Sequence, residues 1–270
     1  MNINEIFENI DKIYAGKESH LAEDYLLSAL AQAEAELDYG AVIVICNELG
    51  GFYRATGKYE MGVPLYEKAL AAINQLGMTD SENHAVTLIN YATNYSVWGK
   101  SEEALNLFRK AHDIMDKVCS GSDYRIATLH NNMSILCQDM EKYDEALSHL
   151  NQALTILKDL DESEIEIAIT YTNMAQIFLQ RNELESADEA VTSALKIFKD
   201  VSGDRDVHYS GAVETLGQIY FVRKEYDQAL KYFETAGELT ARDYGCNSLP
   251  YKAVRESIEI CRQEIQNETH

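Results

Sequence analysis

The chain has 270 residues and a formal net charge of −22 at pH 7, from 45 acidic and 23 basic side chains. Nucleic-acid phosphates and anionic lipid headgroups both select clustered Lys and Arg, so this charge argues against a nucleic acid or a membrane surface as the partner. With 46% hydrophobic residues and only 2 prolines, the composition predicts an ordered, mostly helical protein.

Residues 3–40 introduce a pattern that the rest of the chain repeats. Apolar residues at helical spacing, Ile10 and Ile13, are followed by a second set with small members, Ala22, Leu26 and Ala29. Two short amphipathic helices in succession are typical of a helical hairpin. We therefore predict a divergent first copy of a helical repeat.

From residue 41 onwards the same helical pattern recurs with a period of about 42 residues. A small residue opens the stripe at Gly62, Ala104, Ala146, Ala187 and Ala229. A bulky residue follows four positions later, at Tyr66, Phe108, Leu150, Val191 and Phe233. An alanine closes the stripe three positions after that, at Ala69, Ala111, Ala153, Ala194 and Ala236. These spacings place all three positions on one face of an α-helix.

Each such helix is preceded by another helix with its own small residue. That residue is Gly50, Ala92, Ser134, Ala175 and Gly217 along the chain. Two antiparallel helices approach closely only where side chains are small, and large neighbours fill the adjacent hollows. We expect Ser101, Asp144 and Asp227 to act as N-caps of the second helices.

The last segment, NSLPYKAVRESIEICRQEIQ, reads as a helix with Pro250 in its first turn and charged residues on one face. A single hairpin cannot bury its apolar face alone, so hairpins stack and the final one needs a polar-faced cap. The prediction is one solenoid over 1–270. Its expected parts are repeats at 3–40, 41–82, 83–124, 125–165, 166–207 and 208–248, and a capping helix at 249–266.

The pattern resembles the tetratricopeptide repeat (TPR) family over essentially the whole chain. In the family's order, the sixth repeat offers Val213, Leu216, Gly217, Tyr220, Ala229, Phe233 and Ala236. The family's Trp and closing Pro are missing, and the repeat is about 42 rather than 34 residues long. This longer period is similar to that of the kinesin-light-chain subgroup. The resemblance implies an all-α, right-handed α-solenoid whose first helices line a concave inner wall.

No motif in the sequence indicates catalysis or a metal site. There is no H-E-x-x-H, P-loop or G-x-S-x-G, and no His or Cys pair has zinc-ligand spacing. We therefore expect no enzymatic activity, no cofactor and no metal. The first residues lack the basic region of a signal peptide, and the five cysteines form no C-x-x-C pair, which favours a cytoplasmic protein.

Residues that face the inner wall are the candidates for binding. The template predicts that the ligand-facing residues are Glu8, Asp11, Glu48, Arg54, Asn90, Thr93, Asn132, Asn173, Gln176, Thr215 and Gln218. Three consecutive repeats place Asn at the same position, although Asn is a poor helix former. An amide donates and accepts at once and suits an extended peptide backbone, and the resemblance implies the same use. Alternatively, each Asn bonds a neighbouring hairpin and fixes the stack.

The charge of this wall indicates what it would bind. TPR domains that hold acidic carboxyl termini use inner-wall Lys and Arg, whereas Arg54 is the only clear cation here. The sequence thus favours a neutral or basic peptide, with Tyr14 and Phe221 expected to supply apolar pockets near the two ends. The predicted function is a protein- or peptide-binding scaffold. The alternatives are a regulatory peptide sensor and a self-associating module, which would form a homodimer.

Overall fold

The computed structural model describes residues 3–15, 20–119 and 123–268, and these residues form thirteen α-helices and no strand. The helices are α1 Ile3–Ala15, α2 His20–Ala35, α3 Tyr39–Ala55, α4 Tyr59–Gln75, α5 Glu82–Val97, α6 Ser101–Val118, α7 Tyr124–Asp139, α8 Tyr143–Lys158, α9 Glu164–Gln180, α10 Leu184–Val201, α11 Tyr209–Val222, α12 Tyr226–Tyr244 and α13 Leu249–Glu268. The predicted all-α solenoid class with a C-terminal helix is confirmed.

The chain divides into two compact units, Met1–Gly121 and Ser122–His270. Unit 1 contains α1 to α6, and unit 2 contains α7 to α13. Within each unit the second helix of a hairpin packs on the first helix of the next, as in α4 with α5 and α8 with α9. First helices also pack on each other, α3 with α5 in unit 1 and α7 with α9 in unit 2. The extent of a single solenoid over 1–270 stays a prediction.

The stripe of small and bulky residues forms the core of both units. The small residues Ala104, Ala146, Ala187 and Ala229 are fully buried, as are the closing alanines of all five repeats. Their bulky neighbours Tyr66, Phe108, Leu150, Val191 and Phe233 are buried with them. The ring of Tyr66 lies so close to Gly50 that a Cβ added there would be 2.5 Å from its Cζ. The close approach predicted from the sequence is therefore confirmed.

The turns within the five hairpins from α3–α4 to α11–α12 share one backbone geometry. One turn residue has left-handed φ angles of 58–79°, at Gly57, Gly99, Glu141, Asn182 and Lys224. The amide of the next residue donates to a carbonyl five residues back over 2.8–2.9 Å. This bond closes a Schellman motif, in which the backbone itself satisfies the end of the first helix.

The predicted N-caps are wrong by one or two residues. Ser101 is the first residue of α6, while Asp144 and Asp227 are the second residues of α8 and α12. The cap positions belong to Lys100 and Lys142, among others, and neither makes a side-chain cap hydrogen bond. The physical reason is that the Schellman turn is short. Only one residue, the cap itself, lies between the left-handed residue and the first residue of the second helix.

None of the helices in the described part of the chain has both the length and the hydropathy needed to cross a membrane.

Candidate functional site

Polar side chains link the first helices of adjacent hairpins in unit 1. Asn47 of α3 donates its amide to the Thr87 hydroxyl of α5 over 2.9 Å and to the Ile43 carbonyl. Asn90 of α5 donates in return to Asn47 Oδ1 over 2.9 Å. Thr87 is fully buried, so these bonds satisfy polar groups that water does not reach.

Unit 2 contains the same arrangement between α7 and α9. Asn131 donates to the Thr170 hydroxyl over 3.0 Å, and Asn173 donates to Asn131 Oδ1 over 3.3 Å. Asn131 and Thr170 are buried. Their counterparts in unit 1 are 84 and 83 residues earlier in the chain. The network therefore repeats with every second hairpin rather than with every hairpin.

The three inner-wall asparagines do not have the same role. Asn90 and Asn173 each use one amide hydrogen to join two hairpins. Asn132 is half-buried on α7, and within the described residues its side chain makes no hydrogen bond. Two of the three predicted ligand-facing amides thus already help to fix the packing of the first helices, and Asn132 keeps its full hydrogen-bonding capacity.

Other predicted site residues also bond to the protein itself. Arg54 Nη1 lies 3.5 Å from the Asn90 carbonyl, and the Thr93 hydroxyl donates to the Ile89 carbonyl over 2.8 Å. Gln176 donates to the Thr215 hydroxyl over 3.4 Å. Thr215 is buried at 1% exposure, so it contributes to helix packing and offers almost no surface to a ligand.

The acidic candidates and Gln218 are placed as follows. Glu8 on α1 and Glu48 on α3 are exposed, and Gln218 on α11 is half-buried. Asp11 lies within α1, but its side chain is outside the described residues, as is that of Tyr14. Both predicted carboxylates whose side chains the structure describes, Glu8 and Glu48, are therefore exposed.

A pocket in unit 2 is lined by a carboxylate, Glu214, that is not among the site residues predicted from the sequence. The pocket has a volume of about 290 Å³ and lies among α9, α11, α12 and the start of α13. Asn173 and Gln176 line one side, and Ser210, Gly211 and Glu214 line the other. The predicted residues Asn173 and Gln176 are thus brought together with a new acidic residue.

Glu214 is half-buried and forms no hydrogen bond or ion pair with the described residues. Burial raises the pKa of this carboxyl above its usual value. His208 and Tyr244 are the other titratable side chains that line the pocket, and neither Lys nor Arg is present in its lining. His208 Nδ1 lies 3.0 Å from Asp206 Oδ1, so it is already paired with another carboxylate.

A signal for Glu214 exists in the sequence. It lies one residue before the inner-wall position, where other hairpins carry Asn47 and Asn131. Those asparagines face the next first helix and bond to it. A carboxylate at this inter-helix position is costly to bury without a partner, and that mismatch could have identified Glu214.

A second pocket in unit 2 is apolar and smaller, about 210 Å³. Phe221 and Val222 of α11 and Ile260 of α13 line it, together with Gln218. Phe221 was expected to supply such a pocket near this end of the chain, and it does so.

Comparison with known proteins identifies the repeats. The model of the tetratricopeptide repeat family matches residues 42–117 and 125–200, which is more than half of the chain. A second model, anaphase-promoting complex subunit 5, matches residues 201–269. The two tetratricopeptide matches begin three residues after the start of α3 and one residue after the start of α7, which are the helices that open the two Asn–Thr–Asn networks.

Similar proteins come from several kingdoms. Protein KINESIN LIGHT CHAIN-RELATED 2 of Arabidopsis thaliana is 22% identical over 224 residues, 83% of this chain and 34% of the relative. The mitochondrial tetratricopeptide repeat protein 19 homolog of Drosophila melanogaster is 32% identical over 101 residues, 37% of this chain and 27% of the relative. The chain thus spans about a third of the length of these two relatives or less.

Solved structures share the fold at low identity. BtubC (BKLC) from P. vanneervenii has a TM-score of 0.67 at 20% identity, covering 84% of this chain and 92% of that one. NprR in complex with its cognate peptide NprX has a TM-score of 0.66 at 13% identity, covering 100% of this chain and 82% of that one. Together with the repeat geometry, these matches show that the chain belongs to the tetratricopeptide repeat family and has repeats of the kinesin-light-chain type.

Proposed function

We propose that this chain is a non-enzymatic scaffold that binds a peptide, or an extended segment of a partner protein, along the first helices of its hairpins. The observation that carries the proposal is the Asn132 side chain. It is half-buried on a first helix, and within the described residues both its amide donors and its carbonyl acceptor have no partner. Such an amide can pair with the N–H and C=O of one residue of an extended backbone.

The charge of the chain supports a neutral or basic ligand. The net charge is −22, and Glu8 and Glu48 are exposed on the first helices of unit 1. Arg54, the one cation predicted for this surface, lies 3.5 Å from a backbone carbonyl. A ligand ending in carboxylates would meet repulsion here. We propose that the partner is a protein or peptide in the cytoplasm, rather than a nucleic acid or a membrane.

The names of similar proteins support binding in general terms. NprR is described with a bound peptide, which makes a regulatory peptide sensor the second candidate function. A sensor differs from a scaffold because binding must also change its conformation. Hydrogen exchange of the free and peptide-bound protein separates the two: protection confined to the binding helices supports a scaffold, and changes throughout a unit support a sensor.

The test is selection from a random peptide display library with the wild-type chain and with Asn132→Ala. This variant is preferable to changing all three asparagines, because Asn90 and Asn173 also join hairpins. Asn151→Ala is the matched control, since Asn151 is exposed on a second helix and donates only to the Leu147 carbonyl. Circular dichroism establishes that each variant is folded.

We expect the wild-type chain and Asn151→Ala to enrich the same peptides, and Asn132→Ala to lose them. Enrichment that survives in Asn132→Ala would contradict the proposed role of this residue. A chain that enriches no peptide, and whose mass by light scattering is twice 30.5 kDa, would instead support the self-associating module.

A further inference from the structure

We propose that the pocket around Glu214 receives the protonated side chain of a lysine or arginine in the bound segment. This inference rests on the proposed function and deepens it, because it names the chemistry of one ligand residue. The occupant is a basic side chain of a partner polypeptide that lies along the first helices of unit 2.

The size of the pocket fits one side chain rather than a whole small-molecule ligand. Its volume is about 290 Å³, at the lower limit of the roughly 300–1,000 Å³ of pockets that enclose complete small molecules. It is continuous with the predicted peptide surface, because Asn173 and Gln176 belong both to that surface and to the pocket lining. A peptide backbone near Asn173 could therefore direct one side chain into the pocket.

The lining supplies one unpaired negative charge and several polar groups. Glu214 has no hydrogen bond or ion pair with the described residues, and a half-buried carboxylate is stabilised by a cation that it can bond. Thr172, Ser210 and Asn173 add oxygen atoms to the same lining. These are acceptors for the remaining N–H groups of an ammonium or guanidinium group.

No charged group in the pocket lining competes for the cation. Neither Lys nor Arg lines the pocket, and the imidazole of His208 is 3.0 Å from Asp206. Tyr244 lines the pocket, and burial raises the pKa of its hydroxyl, which therefore stays protonated. Burial also raises the pKa of Glu214, and a bound cation would lower it again because it favours the ionised form.

Gly211 keeps part of the pocket open. It lines the pocket, and a Cβ added to it would meet no atom within 4 Å. The fold therefore has room for a Cβ at this position, and a longer side chain there would extend into the space beside Glu214. Gly211→Leu thus tests the pocket by volume, whereas Glu214→Gln tests it by charge.

The experiment measures binding of three capped tripeptides to the full chain by NMR. The probes are acetyl-Ala-Arg-Ala-amide, acetyl-Ala-Lys-Ala-amide and acetyl-Ala-Gln-Ala-amide. Glutamate side chains carry ¹³C at the carboxyl carbon, and the Glu214 signal is assigned by its loss in Glu214→Gln. The control variant is Glu189→Gln, which makes the same change in charge at an exposed position on the second helix α10.

We expect the Arg or Lys probe, and not the Gln probe, to shift the Glu214 signal saturably. Glu214→Gln should weaken binding roughly tenfold or more, as loss of a charged hydrogen bond does, and Glu189→Gln should leave it within about twofold. Gly211→Leu should weaken binding of the same probe. Equal binding of all three probes, or equal affinities for the two Gln variants, would overturn the inference.

The two proposals can fail separately. Library peptides that bind through Asn132 but show no preference for basic residues, and no response to Glu214→Gln, would overturn the pocket and leave the scaffold. Basic tripeptides that bind at Glu214, in a chain whose selected peptides ignore Asn132→Ala, would leave the pocket and overturn the proposed peptide surface.

Discussion

Asn90 donates a hydrogen bond to Asn47 across 2.9 Å, so the first helices α5 and α3 are joined by two side-chain amides. Asn47 in turn donates to Thr87 and to the carbonyl of Ile43. The Asn47 side chain therefore donates through its Nδ2 and accepts through its Oδ1 at the same time. Asn90, which the repeat template assigns to ligand binding, therefore takes part in the packing between hairpins.

The equivalent network in unit 2 should contribute measurably to stability. Asn131→Ala removes the bond to Thr170 and leaves the Asn173 amide without its acceptor. Loss of a buried hydrogen bond with an unpaired group left behind costs about 1–3 kcal/mol. We expect the urea midpoint of unfolding to fall accordingly. Asn132→Ala, one residue further on, is the control and should leave the midpoint nearly unchanged; equal losses in both variants would contradict this role for Asn131.

Two adjacent glycines of α3 should respond in opposite directions to alanine. At Gly50 a Cβ would be 2.5 Å from Tyr66 Cζ, and Tyr66 is fully buried, so Gly50→Ala should cost about 1–3 kcal/mol by overpacking. At Gly51 a Cβ would meet nothing within 4 Å. Gly51→Ala should therefore stabilise the helix by about 0.5–1 kcal/mol. Thermal unfolding of the two variants measures this difference, and a loss of stability in Gly51→Ala would disprove the comparison.

Two stacked tyrosines of unit 1 should also differ in how their replacement by phenylalanine changes stability. The rings of Tyr66 and Tyr91 are 5.2 Å apart, but the Tyr66 hydroxyl is buried without a hydrogen-bond partner, whereas that of Tyr91 is 3.0 Å from Tyr95 Oη. Tyr66→Phe removes an unsatisfied polar group and should leave stability unchanged or raise it. Tyr91→Phe should cost about 0.5–1.5 kcal/mol. Urea unfolding of the two variants measures the contrast, and the opposite order would refute it.

Glu214 should make the folded state less stable at neutral pH than a neutral residue would. Burial raises the pKa of Glu214 in the folded chain above its unfolded value, so the folded state binds the proton more tightly. The free energy of unfolding therefore falls as pH rises from the unfolded pKa through the folded pKa of this carboxyl. His208 and Tyr244 are the other titratable residues that line this pocket. Both are present in the wild type and in the Glu214→Gln variant, so they do not account for a difference between the two.

Glu214→Gln removes this pH dependence. We expect the variant to have a higher thermal midpoint than the wild type at pH 7, and the difference to shrink as the pH is lowered through the pKa of Glu214. Glu189→Gln should show no such gain. A Glu214→Gln variant that is less stable than the wild type at pH 7 would show that the carboxylate is favourably paired in the free protein.

The fold could be predicted because the same spacing of about 42 residues recurs at several different positions of the helical repeat. The alignment of Ala69, Ala111 and Ala153 defines one helix of each hairpin, and close packing requires a small residue opposite each bulky one. The helix starts were misplaced because the side chains of Ser101 and Asp144 suggested caps, whereas the turn is closed by backbone bonds that any sequence can make.

The candidate site was predictable only in part, because a helix face is assigned from sequence to within about one residue. An error of one residue is enough to confuse Asn132 with Asn131. The amide of Asn132 has no partner within the described residues, whereas Asn131 is buried in the packing between α7 and α9. The same error of one residue assigned the site to Thr215, which is buried, instead of Glu214, which lines the pocket. A template that treats each repeat alike does not reveal a network that alternates between repeats, although the 84-residue spacing of Asn47 and Asn131 was present in the sequence.

The alternation of the Asn–Thr–Asn network limits how such a chain can lengthen or shorten during evolution. A duplication or deletion of two hairpins, 83 or 84 residues, keeps every donor asparagine opposite a helix that carries Thr and Asn. Inserting a second copy of α3–α4 directly after the first would instead place Asn47 opposite Ile45, at the repeat position of Thr87, and its amide would lose that acceptor. The network therefore belongs to a pair of hairpins, α3 to α6 or α7 to α10, and neither hairpin of a pair carries it alone.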